Sequence, residues 1–272
     1  MSIIKNKERI GAFTSSMIYK LIPKGKRKMT SEELILFKEV NPKSRVTTIA
    51  DGFSSLGLTY IQEKSIERKI GKSIDGNVYN QAAYWGLAME LILFNLLGYK
   101  YSLSSQETSV HPEYKFWAGS CDALILDRES GSTEAVVEIK SYGLKKFSLY
   151  SDCLLKKDVS LFREEFPSEY WQIVSNCIIH DADIGEAICF APYDSQMDEI
   201  RGYITDMDGD SLWKYRFIVE KENYELSCIP DDGFYKSINK FLFLIPEEDK
   251  QFLTQRVLEA NKLLEESLKW KN

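Results

Sequence analysis

One apolar segment, Ala135-Val-Val-Glu-Ile-Lys-Ser141, constrains the fold more than any other part of the sequence. Its β-branched and apolar residues are typical of a well-buried strand. Because alternate residues of a strand face the same side, Glu138 and Lys140 share one face with Val136. The other face carries Ala135, Val137 and Ile139. Two charges on so apolar a strand must be paired or bind a ligand, so the sequence predicts a polar site on a central strand.

A second acid, Asp122, lies in another strand-like segment, residues 116–126. Residues 127–132, with Gly131, are typical of a turn, so the two strands are predicted to form a hairpin centred on residue 130. That register places Asp122 opposite Glu138, at a distance of roughly 5 Å. Two carboxylates at this distance repel each other unless a proton or a cation lies between them. A hard divalent ion such as Mg²⁺ or Mn²⁺ prefers oxygen ligands of this kind.

A third acid, Glu90, is the only charged residue between Ala82 and Tyr99. It lies in an apolar segment, residues 78–97, that is predicted to be a helix ending at Gly98. An unpaired carboxylate in so apolar a helix is costly. Its presence is explained if the helix packs on the sheet and delivers a third oxygen ligand. Gly86, one turn earlier on the same face, permits close approach.

Together these residues predict phosphodiester chemistry. Metal ions bound by Asp122 and Glu138 would generate hydroxide and neutralise the charge that builds on a scissile phosphate. Lys140 orients the attacking water or stabilises the transition state. Taken singly, each residue has an ordinary alternative role: a salt bridge at a strand edge, a turn aspartate or a solvated helical glutamate. The combination favours a metal-dependent nuclease.

Composition limits the remaining classes of protein. The chain has 272 residues and a net charge of −6, which argues against a protein that coats nucleic acid through bulk positive charge. The net charge is still compatible with a nuclease, because bound divalent cations restore the attraction to phosphate. With five scattered cysteines, no C-x-x-C pair and two histidines, zinc ribbons, redox motifs and iron–sulfur clusters gain little support. The most apolar run, residues 91–97, is too short to span a bilayer, so we expect no membrane association and a cytoplasmic protein, in the host cytoplasm if phage-encoded.

The order of elements predicts an α/β fold with a central β-sheet flanked by helices. We expect one domain over residues 1–272, with a core at about 78–206 and helical additions at 1–77 and 230–272. The predicted helices are 14–21, a helix opening with a capping box at Thr30, a weakly helical 48–70, 78–97, 144–157, 167–180, 231–243 and 247–269. The predicted strands are 100–110, 115–126, 135–141, 187–192, 199–204 and 213–220, and 24–28 is predicted to be a basic loop.

The pattern Asp-x(n)-Glu-x-Lys, here Gly119-Ser-Cys-Asp122 followed by Glu138-Ile-Lys140, resembles the PD-(D/E)XK nuclease superfamily. Cys121 replaces the usual proline. This resemblance implies a restriction-endonuclease-like core with a mixed sheet. Three further segments resemble motifs of the lambda-exonuclease-like, or YqaJ-type, viral recombinase family: Arg9-Ile-Gly-Ala-Phe-Thr-Ser-Ser16, Trp85-Gly-x-x-x-Glu90 and Tyr170-Trp-Gln172.

The resemblance implies a role for each matched position. Asp122, Glu138 and the carbonyl group of Ile139 would bind metal, with two Mg²⁺ or Mn²⁺ ions expected. Lys140 would be the catalytic lysine, and Glu90 would be a further acidic ligand, direct or through water. Gln172 would support the nucleophile or the lysine. The pocket for a DNA 5′-phosphate would consist of Arg9, Ser16 and Ser120, since an arginine fork and two hydroxyls suit a phosphate monoester.

The first functional prediction is a 5′→3′ exonuclease that digests linear duplex DNA in phage-type recombination. It would expose a 3′ single strand for an annealing partner protein, and the ring-forming family implies a homotrimer. A structure-specific or restriction-type endonuclease of the same superfamily is the alternative, and a non-catalytic DNA-binding or assembly module is a third. A covalently closed circle discriminates the first two, because only an endonuclease cleaves it.

Overall fold

The structure is a computed structural model and describes residues 7–74, 80–103 and 108–269. Its strands are β1 (Phe13–Thr14), β2 (Lys24–Lys28), β3 (Thr48–Phe53), β4 (Tyr101–Leu103), β5 (Ser109–Val110), β6 (Trp117–Gly119), β7 (Ala123–Leu126), β8 (Thr133–Lys140), β9 (Ile184–Phe190) and β10 (Ile238–Leu244). Its α-helices are α1 (Ser31–Val40), α2 (Ser55–Ile70), α3 (Gln81–Leu97), α4 (Leu144–Lys156), α5 (Val159–Glu165), α6 (Pro167–Ile179), α7 (Met197–Thr205), α8 (Gly209–Glu220) and α9 (Glu247–Leu268). Short 3₁₀ helices span Lys7–Arg9, Ser15–Leu21, Asp194–Gln196 and Asn223–Glu225.

A five-stranded sheet with the order β10-β9-β8-β7-β4 forms the centre of the fold. β8 pairs with β9 in parallel, whereas the other neighbours are antiparallel. Two smaller sheets accompany it, one with the order β1-β6-β5 and one of β2 and β3. The predicted α/β fold with a mixed sheet flanked by helices is therefore confirmed.

Helices cover both faces of this sheet, as the composition of β8 predicts. Val136 packs into a cluster with buried aromatic and aliphatic residues of α4, α5, α6 and α9. Ala135, Val137 and Ile139 pack on the opposite side against residues of α3, α7 and α8. The predicted division of β8 into two faces is confirmed, and it explains why β8 is apolar on both sides.

The β7–β8 hairpin has the predicted register. Ala123 lies opposite Val137, and Ile125 lies opposite Ala135, so the hairpin is centred on residue 130. Asp127 closes its turn by accepting the backbone N–H groups of Glu129 and Ser130. This register sets Asp122, the residue before β7, level with Glu138.

Helix ends follow local capping chemistry. Thr30 and Glu33 form the predicted capping box at the start of α1. Asn80 caps α3, and Gly98, at φ 77°, follows its last residue, as predicted. The first two residues of that predicted helix, 78 and 79, lie outside the described residues, as do 104–107 of the predicted strand 100–110.

Several element predictions were wrong. Residues 199–204 and 213–220 form parts of α7 and α8 rather than strands, because Met197, Ile200 and Ile204 bury one helical stripe. Residues 238–244 form β10 rather than a helix, and Asn239, Phe241 and Phe243 alternate toward the core as a strand requires. The central sheet thus continues past the predicted core boundary at residue 206.

The N-terminal region also differs from the prediction. The basic segment Lys24–Lys28 is a strand, β2, and not a loop, because it pairs with β3. The weakly helical segment 48–70 divides into β3 and α2 at Ser54, whose side chain caps the helix. Among the described residues, no helix combines the length and apolarity needed to cross a membrane.

Candidate active site

The C-terminal end of β8 brings together the residues that the sequence singles out. Asp122 is tied to this strand twice: its backbone N–H donates to the carbonyl of Val137 at 3.1 Å, and its Oδ2 accepts the N–H of Ile139 at 2.6 Å. Because the N–H and C=O groups of one strand residue face the same edge, the Ile139 carbonyl also points toward the side occupied by Asp122. The predicted proximity of Asp122 and Glu138 is therefore borne out by the backbone register.

Glu138 is almost completely buried, with 1% of its surface exposed. Its Oε1 accepts Lys140 Nζ and Gln172 Nε2, each at 2.5 Å. Gln172 Oε1 in turn accepts Lys140 Nζ at 3.5 Å, so the three side chains form a closed triangle. Glu138 Oε2 is buried and has no hydrogen-bond partner among the described residues. A buried acceptor without a donor is costly, which makes Oε2 a candidate ligand atom.

The pKa values of the three acids of this site are all raised, chiefly by burial. Burial, with the charge of Asp122, raises the pKa of Glu138 to about 8. The same two causes raise the pKa of Glu90 to about 7, which brings Glu90 on α3 into the electrostatic group. Burial raises the pKa of Asp122 as well, against the opposing effects of Lys140 and the Ile139 amide. Burial disfavours the cation of Lys140, but Glu138 and Asp122 outweigh it, so the Lys140 pKa rises and the ammonium stays charged.

These residues fit a hard divalent cation by their chemistry. Carboxylate and carbonyl oxygens are the preferred ligands of Mg²⁺ and Mn²⁺, and Glu138 Oε2 is an unused one. Within the described part of the chain, no three side chains of histidine, cysteine or acidic residues form a metal-coordinating group. The ligand set of Asp122, Glu138 and the Ile139 carbonyl needs only two side chains.

A hydrogen-bond network that sequence reasoning missed lies beside this group. Glu169, 5% exposed, accepts Tyr142 Oη, Ser168 Oγ and, at 2.8 Å, Lys146 Nζ. Tyr142 follows Lys140 by two residues, and Glu169 precedes Gln172 by one helical turn. The network therefore links the chain after β8 to α6. The sequence feature that could have indicated this network is the spacing of Glu169 and Gln172, which places both side chains on one face of a helix.

The residues of the predicted phosphate pocket lie at the junction of β1, β6 and α6. Arg9 Nη2 donates to Ser16 Oγ at 3.4 Å. The carbonyl of Ser120 accepts Asn176 Nδ2 at 3.1 Å, one helical turn beyond Gln172. A Cβ atom on Gly119 would lie 2.1 Å from Ser15 Oγ, so only glycine lets the Ser15–Ser16 turn approach β6 this closely. The structure thus pairs Arg9 with Ser16 and brings the Ser15–Ser16 turn against the strand that ends before Ser120.

The family model of the YqaJ-like viral recombinase domain matches residues 45–183, just over half of the chain. The chain belongs to the YqaJ-like viral recombinase family. The resemblance inferred from the motifs is thereby confirmed, although Arg9 and Ser16 lie before the matched segment. No curated protein matches this family member in sequence.

Solved structures share the fold of this YqaJ-like chain. LHK-Exo in complex with dAMP aligns over 97% of this chain and 93% of its own, with a TM-score of 0.58 and 12% identity. LHK-Exo is described as an alkaline exonuclease from Laribacter hongkongensis, and a second structure of it aligns with a TM-score of 0.57 and 11% identity over the same shares of the two chains. A phage-related exonuclease from Haemophilus somnus 129PT aligns over 96% of both chains, with a TM-score of 0.55 and 14% identity. At identities this low, the alignments show a common fold and no more.

Proposed function

We propose that this protein is a metal-dependent deoxyribonuclease, a 5′→3′ exonuclease acting on linear duplex DNA in phage-type recombination. One observation carries the proposal: Asp122, Glu138 and Lys140 meet at the end of β8, where Asp122 Oδ2 accepts the Ile139 amide and Lys140 contacts the buried Glu138, and Glu90 is close enough to share in their electrostatic interactions. Family membership and the fold shared with exonucleases support it. Strongly perturbed acids clustered with a lysine are typical of catalytic sites.

In this proposal each side chain acts on the hydrolysis of one phosphodiester bond. The oxygen of a water molecule bonds to phosphorus and the water proton passes to Glu90, whose raised pKa suits proton transfer near neutral pH. The P–O3′ bond breaks, and the departing O3′ oxygen takes a proton from solvent water and becomes a 3′-hydroxyl group. Lys140 remains cationic and stabilises the charge that develops on the phosphate oxygens. Gln172 and Glu138 hold its ammonium group in place.

Asp122, Glu138 and the carbonyl of Ile139 would hold Mg²⁺ or Mn²⁺, with two ions expected. Such an ion, when bound, lowers the pKa of water and neutralises the scissile phosphate. Each cleavage leaves a new 5′-phosphate on the shortened strand, which is the group that Arg9, Ser16 and Ser120 are proposed to bind. The product end is then the next substrate end. The 3′ strand left behind would serve a single-strand annealing protein.

An assay with end-labelled linear duplex, with and without Mg²⁺, tests the proposal. We expect metal-dependent loss of the 5′-terminal nucleotides, and at least about a thousandfold loss of rate in Glu138→Gln and Lys140→Ala. Glu134→Gln is the matched control, because Glu134 is exposed on the same strand and should retain full activity. Wild-type rates in both site variants would overturn the assignment.

A covalently closed circle separates the exonuclease from an endonuclease of the same superfamily. An exonuclease needs an end, so the circle should persist while a linear form of identical sequence disappears. Cleavage of the circle at a comparable rate would favour the endonuclease. If DNA of both forms survived in the presence of Mg²⁺ and Mn²⁺, the chain would be a binding or assembly module.

A further inference from the structure

Two consecutive side chains of α2 hold both backbone polar groups of Gly11. The N–H of Gly11 donates to Glu67 Oε2 at 2.8 Å. The carbonyl of Gly11 accepts Arg68 Nε, also at 2.8 Å. Gly11 lies between Arg9 and Ser16 in the sequence, so this clamp, formed by Glu67 and Arg68, acts on the segment that carries two residues of the proposed phosphate pocket.

Glu67 is fully buried, and its carboxylate is saturated with donors. Oε2 accepts Gly11 N and Lys64 Nζ, and Oε1 accepts Ser73 Oγ and the backbone N–H of Ile74. Burial alone would raise the pKa of Glu67, but the Gly11 amide and Lys64 lower it below its usual value. The ionised form is therefore kept. A carboxamide has one acceptor oxygen, so it cannot satisfy donors on both sides.

The backbone of Gly11 is built for this close contact. Its φ angle is 69°, a conformation that glycine adopts without strain. A Cβ atom at this position would lie 2.4 Å from Arg68 Cγ. Any side chain at residue 11 would push the segment away from α2.

A second attachment on the same helix holds the segment further along. Tyr60 Oη accepts the N–H of Thr14 at 2.8 Å. Tyr60 and Glu67 are seven residues apart, or about two helical turns, so they project from one face of α2. The stretch from Gly11 to Thr14 is thus fastened at two points to a single rigid element.

We propose that Glu67 and Arg68 are positioning residues that set the conformation of the Arg9–Ser16 segment and thereby the preference for a 5′-phosphorylated DNA end. The inference rests on the proposed function. Arg9 is partly exposed, and an arginine side chain loses considerable rotamer freedom when it binds. Fixing the N–H and carbonyl groups of Gly11, two residues after Arg9, restrains the backbone that carries the arginine, and its guanidinium is already directed toward Ser16, so less freedom is lost on binding.

The ratio of cleavage rates on 5′-phosphorylated and 5′-hydroxyl duplexes tests this role. In Glu67→Gln and Arg68→Met we expect the ratio to fall by about tenfold or more, with the loss confined to the phosphorylated end. Lys69→Met is the matched control, since Lys69 is the exposed neighbour on the same helix and should keep the wild-type ratio. A merely structural role would slow both substrates equally. If Glu67→Gln does not fold, the rate ratio of Arg68→Met decides the question, because Arg68 is partly exposed and its substitution disturbs the core less.

Hydrogen exchange at the Gly11 amide gives a readout that does not need activity. We expect slow exchange in the wild type and in Lys69→Met, and faster exchange in Glu67→Gln. Wild-type exchange and a wild-type ratio in the folded clamp variants would overturn the inference. Arg9→Ala distinguishes the phosphate pocket from the clamp that positions it. If Arg9→Ala abolishes the preference for a 5′-phosphate while the clamp variants keep it, the pocket is supported and the positioning role of Glu67 and Arg68 is wrong. A wild-type enzyme that digests linear duplex but ignores the 5′ group would overturn the pocket and the clamp while leaving the exonuclease standing.

Discussion

The environment of Glu138 combines burial with an uneven supply of hydrogen-bond donors to its two oxygens. The side chain is nearly excluded from water, yet one of its oxygens receives both Lys140 and Gln172 and the other receives no described donor. Removing an ionised carboxylate from water costs several kcal/mol unless it is paired. Glu138 is paired with Lys140, yet burial and the charge of Asp122 outweigh that contact and favour the neutral acid below about pH 8, which links the charge of this residue to the stability of the chain.

That link predicts how stability depends on pH. The pKa of Glu138 is 4.5 in the absence of its environment and about 8 in the folded protein. Between these values the folded state binds the proton that the unfolded state has lost, so the free energy of unfolding falls as pH rises from about 4.5 to 8. In chelator, we expect the wild-type melting temperature to drop by at least about 3 °C between pH 5.5 and pH 8.

Glu138→Gln keeps the shape of the side chain and cannot ionise, so it should weaken this pH dependence and leave the part that Glu90 contributes through its own raised pKa, whereas Glu134→Gln should retain the full dependence. Adding Mg²⁺ at pH 8 should raise the melting temperature of the wild type and not that of Glu138→Gln. Equal slopes in all three proteins would show that the raised pKa of Glu138 is not the cause.

At the scale of elements, the site depends on the distance between the end of β8 and helix α6. The hydrogen bond from Tyr142 to Glu169 spans this gap beside Lys140 and Gln172. Tyr142→Phe removes the donor and keeps the ring, so Gln172 should lose its fixed position relative to the lysine. We expect kcat to fall about tenfold, with KM nearly unchanged and about 1 kcal/mol lost from the free energy of unfolding.

Tyr150 supplies the control for this experiment. Its ring packs edge-on against Tyr142, and its hydroxyl is buried without a hydrogen-bond partner among the described residues. Tyr150→Phe should therefore leave kcat unchanged. An equal loss of kcat in both variants would mean that removing either hydroxyl from this aromatic pair has the same effect, and that the Tyr142–Glu169 bond has no special part in positioning the helix.

A second element-scale prediction concerns the contact of β6 with α6. A Cβ on Gly119 would lie 2.1 Å from Ser15 Oγ and 2.2 Å from Asn176 Oδ1, two atoms of buried side chains. Gly119→Ala should cost about 1–3 kcal/mol of stability through overpacking. Gly202→Ala in α7 meets no atom within 4 Å and should instead add about 0.5–1 kcal/mol, because alanine favours a helix. Thermal denaturation of both variants checks the opposite signs.

For the whole molecule, the family resemblance predicts a homotrimer. Light scattering should then give a mass near 94 kDa, three times the 31.4 kDa of the chain. A mass of one chain, unchanged over a hundredfold range of concentration and on addition of duplex DNA, would contradict the ring. The exonuclease proposal would stand in that case, because Glu90, Asp122, Glu138 and Lys140 all belong to one chain.

Sequence alone located these four residues because each is a charge in an apolar stretch, and such a contrast is visible without a partner. The hairpin register followed from a short local turn. Contacts between distant parts of the chain were not visible: Tyr142 reaches Glu169 across 27 residues, and Gly11 reaches Glu67 across 56. For the same reason the sequence predicts a helix where β10 lies, since the identity of β10 as a strand depends on its pairing with β9.

The contact between Lys140 and Glu138 has a practical consequence for anyone handling the protein. Because Lys140 supplies a positive charge beside the buried Glu138 from within the same chain, we expect the protein to fold without added metal. Chelation should therefore stop the activity reversibly, without unfolding the protein. A stock kept in EDTA near pH 6 should keep its melting curve, and its full rate of cleavage should return within the time of mixing when Mg²⁺ is added back.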